Sequence, residues 1–122
     1  MLLDSNIVIY AAEPNYDAVR EFIGKHSPLV SVISKVEVLG YHQLNNENRQ
    51  LLEIIFNTLP VLALSDAIVN EAISLRQKRK MSLGDALIAG TALTHNLTVA
   101  TANVKDFTWV DGITVVNPLQ NN

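Results

Sequence analysis

Five short apolar runs punctuate this chain: MLL at 1–3, PLVSV at 28–32, PVLAL at 60–64, LTVAT at 97–101 and ITVVN at 113–117. They are of strand length, and none shows the polar–apolar alternation of a strand with one wet face, so each reads as a strand covered on both sides. Helical patterns separate them. A short helix follows MLL to about Ala12, and Glu13-Pro14-Asn15 breaks the chain. DAVREFIGKH carries apolar residues at 18, 19, 22 and 23, a helical spacing. KVEVLGYHQL and NRQLLEIIFNTL read as two helices parted by an Asn-rich turn at 45–48. DAIVNEAISLRQKRK is apolar at 68, 72 and 75 and ends in a basic tail. VKDF makes one helical turn, Asp111-Gly112 reverses the chain, Pro118 ends the last strand, and LQNN is expected to be unstructured. Doubly covered strands alternating with helices predict an α/β fold with a parallel sheet between helical layers. Right-handed crossovers then bring every strand-to-helix junction to one edge of that sheet, where ligands of such folds bind.

A length of 122 residues fits a single domain, 1–122, with a single core. Charged residues make up only 17%, which suits a well-buried globular chain. The absence of cysteine excludes disulfides and thiolate zinc sites. The opening MLLDSNIVIY has no basic n-region and carries Asp4 early, so no signal peptide is expected. No run reaches the length of a membrane span, and a cytoplasmic location follows. The net charge of −3 offers no footprint for non-specific nucleic-acid binding, so something else must offset the phosphates of a nucleic-acid partner, as a bound cation could. The exception is RQKRK, where Arg76, Lys78, Arg79 and Lys80 supply four of the nine basic residues. They are either a solvated helix C-terminus favoured by the helix dipole or a contact patch for RNA or a protein partner.

Three acids stand in apolar surroundings: Asp4 after the first strand, Glu37 in VISKVEVLG, and Asp85 in SLGDALIAGTAL, a segment otherwise small and apolar enough to be buried all round. Asn103 follows the fourth strand, with Asp106 three residues on. Each has a capping explanation. Ser34-x-x-Glu37 and Ser82-x-x-Asp85 fit capping boxes, Asn103-x-x-Asp106 a similar cap, and Asp4 or Ser5 an N-cap. Capping leaves the apolar neighbours unexplained, and all the acids fall at the same sheet edge. Clustered, partly buried carboxylates repel one another, and a divalent cation relieves that conflict. All-oxygen donors select a hard ion, Mg²⁺ or Mn²⁺, which can activate water against a phosphodiester. The three histidines add no chemistry: His26 and His95 fall near helix ends and His42 lies off the face of Glu37. Tyr10, Tyr41 and Trp109 are too scattered to form a base-stacking platform.

Taken in order, LLDSNIVIYA, SVISKVEVLGY, SLGDALIAGTAL and VATANVKDF…ITVVNP resemble the motifs of PIN-domain proteins, in particular the VapC-like toxins of toxin–antitoxin pairs. The resemblance implies a PIN-like three-layer sandwich with a central, mainly parallel five-stranded sheet. It implies an Mg²⁺- or Mn²⁺-dependent endoribonuclease, usually a homodimer, whose site is occluded by a cognate antitoxin. Asp4, Glu37 and Asp85 match the metal-holding acids, Asn6 matches a residue that orients the first of them, and Thr101 and Asn103 fall on the fourth motif. Ser5 and Asp106 are candidate supporting residues. Two departures stand out: Asn103 replaces a frequent Asp, removing a charge that a second metal ion would want, and Ala102 replaces a frequent Arg. Two other classes fit the same fold. A catalytically silent interaction module is favoured by Asn103, and a phosphoacceptor receiver would use Asp66 after the third strand.

Overall fold

A computed structural model of the chain describes residues 1–120. Each apolar run forms a strand, shorter than the run itself: β1 Leu2–Leu3, β2 Leu29–Ser31, β3 Val61–Leu62, β4 Val99–Ala100 and β5 Val115–Val116. All pair in parallel, in the order β3-β2-β1-β4-β5. Around them lie α1 (Ser5–Ala11), α2 (Asp17–His26), α3 (Val32–Leu39), α4 (Asn46–Thr58), α5 (Asp66–Lys78) and α6 (Leu83–His95). VKDF gives a single 3-10 turn, Val104–Asp106. Gly112 makes the expected reversal with φ +88, a backbone conformation that side chains disfavour. A turn over 118–119 precedes the end of the described chain, and positions 121 and 122 lie outside the described residues.

Consecutive strand residues point to opposite faces. Leu2 and Val99 enter a core built with Ile68, Ala72, Ile88 and Phe107 under α5 and α6, whereas Leu3 and Ala100 enter a second core with Ile7, Val8, Val38, Leu52 and Phe56 under α1, α3 and α4. Two separate cores on one sheet explain why the strands lack alternation and give the three-layer sandwich.

Two helix boundaries differ from the sequence reading. α3 starts at Val32, directly after β2, and ends at Leu39, so residues 41–44 are not helical. Ser31 is its N-cap, accepting from the Ile33 N–H at 3.1 Å. Ser34 therefore lies inside the helix, and the Ser34–Glu37 capping box does not form. The Asn-rich segment is also a cap: Asn45 Oδ1 accepts from the Asn48 N–H at 2.8 Å, and α4 begins at Asn46. The receiver alternative fails on topology. β3 is an edge strand separated from β1 by β2, so Asp66, exposed at the start of α5, follows a strand that is not the neighbour of β1.

α6 is buried continuously from Ala86 to Ala92, as its composition predicts. It packs tightly on α5 at Gly90, where a Cβ would lie 2.8 Å from the Ile68 carbonyl oxygen and 3.2 Å from the Ala72 nitrogen. Both are backbone atoms and cannot step aside singly. Although alanine is the better helix former, Gly90→Ala is expected to destabilise the protein by about 1–3 kcal/mol through overpacking. A lower denaturant midpoint in a urea titration checks this.

Candidate active site

The strand order reverses direction between β1 and β4: the chain moves outward from β1 to β3 on one side, then returns to place β4 and β5 on the other. Such a switch point opens a crevice beyond the carboxyl ends of the strands. Asp4 follows β1 there, and Thr101 follows β4. The Thr101 hydroxyl donates to Asp4 Oδ2 at 2.8 Å, the Ser5 N–H donates to Oδ1 at 2.8 Å, and Thr101 Oγ1 in turn accepts from the Asn103 N–H at 3.0 Å. Thr101 is completely buried and Asp4 is 7% exposed, so the pair bridges the crevice out of water. Asp4 thus caps α1 and faces the crevice at once.

Glu37 approaches from the second turn of α3 and is exposed. The Ser5 hydroxyl donates to its Oε1 at 3.0 Å and lies 2.9 Å from Ser34 Oγ. Ser5 has one proton to give, and the carboxylate takes it, so Ser34 donates to Ser5. Asp85 is the third residue of α6, and its N–H donates to Ser82 Oγ at 3.1 Å. That half of the capping box forms. Asp4, Ser5, Asn6, Glu37, Asp85 and Asn103, with Ile9 and Val38, line one cleft.

Electrostatics within the cleft are unfavourable to full ionisation. Burial raises the Asp4 carboxyl above its ordinary range, against the lowering effect of the Thr101 and Ser5 hydrogen bonds. Burial also pushes Asp85 up to about 6, with further increments from the charges of Asp4, Asp106 and Glu37. The folded state therefore binds the Asp85 proton more tightly than the unfolded chain does. Its ionisation costs stability as pH rises from about 4 to about 6, and the cost persists above that. Asp85→Asn is accordingly expected to raise Tm by a few degrees at pH 7.5 and to leave it nearly unchanged at pH 4. An equal shift at both pH values in thermal melts would exclude this electrostatic origin.

Several residues have places other than those expected. Asn6 forms no hydrogen bond to Asp4 among the described residues, and its buried Oδ1 has no protein partner. Thr101 and the Ser5 N–H orient Asp4 instead. Asn103 makes no side-chain cap. Exposed at the rim, it lines the acidic cleft and also a neighbouring hollow that includes Asp106. Asp106 does not line the acidic cleft but acts on Asp4 and Asp85 through its charge. None of Arg76, Lys78, Arg79 and Lys80 lines the acidic cleft. Arg76 Nε donates to the Met81 carbonyl, and the Arg79 guanidinium lies 4.8 Å from the centre of the Trp109 ring. Ser34, fully buried, is the residue sequence reasoning missed. Its spacing from Glu37 reads equally well as a capping box, and only the true start of α3 distinguishes the two.

The donor set suits a hard divalent cation: carboxylate, amide and hydroxyl oxygens, two carboxyls raised by burial and mutual repulsion, and an orphaned amide oxygen in the wall. Among the described residues, no three acidic or histidine side chains stand close enough together to hold a metal ion by themselves.

A doubly covered parallel sheet with acids gathered at its switch point defines the class, and the PIN domain family model matches residues 1–112. The chain belongs to the PIN domain family. It is 28% identical over 127 residues to Ribonuclease VapC1 of Rickettsia felis, covering 95% of this chain and 94% of that one. A toxin–antitoxin complex from Klebsiella pneumoniae contains a chain 29% identical, with a TM-score of 0.77 and coverage of 98% of both. DNA-bound VapBC from Salmonella typhimurium, 21% identical with a TM-score of 0.84 over 96% of each chain, is alike in fold alone.

Proposed function

We propose that this PIN domain is an endoribonuclease and the toxin of a toxin–antitoxin pair. It would hydrolyse RNA phosphodiester bonds with water at the cleft of Asp4, Glu37, Asp85 and Asn103. The observation that carries the site assignment is the crevice at the β1–β4 switch point, where carboxylates from three helix starts and turns share one cleft. The VapC1 ribonuclease and the Klebsiella toxin–antitoxin complex support the activity and its biological setting.

In this reading Asp4, Glu37 and Asp85 hold Mg²⁺ or Mn²⁺, with Asn103 an uncharged oxygen donor at the rim. The ion, when bound, neutralises the phosphate and acidifies a water. The chain's own residues prepare the site. Thr101 and the Ser5 N–H fix both Asp4 oxygens, Ser34 steadies Ser5 against Glu37, and Ser82 anchors the first turn of α6. A bound cation would also offset phosphate charge, which the small net negative charge of the chain does not.

The partner reading rests on a second cavity of about 340 Å³ that shares Glu37, Val38 and Ile9 with the acidic cleft and continues over Tyr41, Leu44 and Leu52. An antitoxin segment seated there would cover the cleft. Exposed apolar side chains, among them Val36, Ile54, Val69, Ile73 and Leu83, are available for a homodimer. No helix among the described residues is long and apolar enough to cross a membrane; the location proposed for the toxin is the cytoplasm.

Asp85→Asn should leave the fold intact and lower Mn²⁺-dependent RNA cleavage by at least a hundredfold, about 3 kcal/mol of transition-state stabilisation. Wild-type cleavage by this variant would sink the assignment. Calorimetry separates the silent module, which the uncharged Asn103 favours: the nuclease binds Mn²⁺ at millimolar concentration or below, and the silent module does not.

A further inference from the structure

Gly84, immediately before Asp85, has no backbone reason to be glycine. It is the second residue of α6 and has ordinary helical geometry, which alanine adopts more readily. What distinguishes the position is its neighbour. A Cβ at Gly84 would stand 2.6 Å from Glu37 Oε2 and 3.1 Å from both Cδ and Oε1. Those atoms end a flexible side chain whose other contact is the Ser5 hydroxyl, 3.0 Å from Oε1, itself backed by the buried Ser34. The Glu37 carboxylate thus occupies a slot with a hydroxyl on one side and the bare backbone of α6 on the other. At Gly90 the obstructing atoms are backbone; here they are the end of one glutamate, which can rotate away at little cost to the fold.

We infer that Gly84 is a positioning residue: its missing side chain lets Glu37 lie against the first turn of α6, beside Asp85. This rests on the reading of Glu37 as a metal-holding residue. A substituent at position 84 displaces that carboxylate from the cleft without touching the two cores.

The test is Mn²⁺ calorimetry and thermal melting of wild type, Gly84→Ala, Glu37→Ala and the double variant. Gly84→Ala should weaken Mn²⁺ binding roughly tenfold, the scale of lost support around a metal ligand, with Tm equal to or above wild type. Glu37→Ala should weaken binding at least as much. In the double variant the new methyl group has nothing to displace, so binding should match Glu37→Ala alone. Three results overturn the inference: unchanged binding in Gly84→Ala while Glu37→Ala is impaired, an additive loss in the double variant, or a Tm well below wild type in Gly84→Ala. If Glu37→Ala itself binds Mn²⁺ normally, the metal assignment of Glu37 fails instead.

Discussion

Leu2 and Leu3 are adjacent, both completely buried, and belong to different cores. The same division recurs at Val99 and Ala100. With strands of only two or three residues, few ladder hydrogen bonds are made, and the sheet is held by what packs on its two faces. Parallel pairing requires each connection to cross a face, so the helices that complete the cores also bring the strand ends to one edge. The acidic cleft is a consequence of that double burial: its acids lie just beyond a strand or in the first two turns of helices that hydrophobic packing has already fixed.

Holding carboxylates together at that edge runs against stability. Burial and mutual repulsion raise Asp4 and Asp85, and the protein tolerates this with hydrogen bonds that favour the charged form. Each is drawn from an element that the fold places for another reason. Thr101 follows β4, the Ser5 N–H begins α1, and Ser82 caps α6. Capping and a place in the cleft therefore coexist at Asp4, and Ser82 caps the helical turn that carries Asp85 into the same cleft. At Glu37 and Asn103 the capping explanation fails, and these are the two exposed polar members of the cleft. Exposure divides the polar lining of the cleft into an inner pair, Asp4 and Asp85, and a rim of Glu37 and Asn103.

Much of this was legible in the chain. The five apolar runs each contain a strand, and SLGDALIAGTAL is the buried helix its composition implies. The residues singled out as Asp4, Glu37, Asp85 and Asn103 line one cleft. What failed was local. Helix starts were misjudged at α3 and α4 because Ser31, Ser34 and the asparagines at 45–48 are all acceptable caps by type, and only the end of β2 selects among the first two. The basic cluster after Leu75 was ambiguous because charge alone does not tell which face a helix end presents. In the fold, Arg76 and Arg79 turn to Met81 and Trp109, and none of the cluster lines the acidic cleft.

The sequence by itself determined the class of fold and the oxygen-only chemistry of the cleft, because burial pattern and residue type are written in the order of the side chains. Only the tertiary structure decided which groups act on which. Ser5 and Ser34 are 29 positions apart, Thr101 and Asp4 are 97 apart, and their hydrogen bonds exist because β1 lies between β2 and β4. Likewise Gly84 and Gly90 are the same residue in one helix. What faces each across the packing, a movable carboxylate or a fixed backbone, is set by the neighbouring helix and cannot be read from either glycine's own neighbours in the chain.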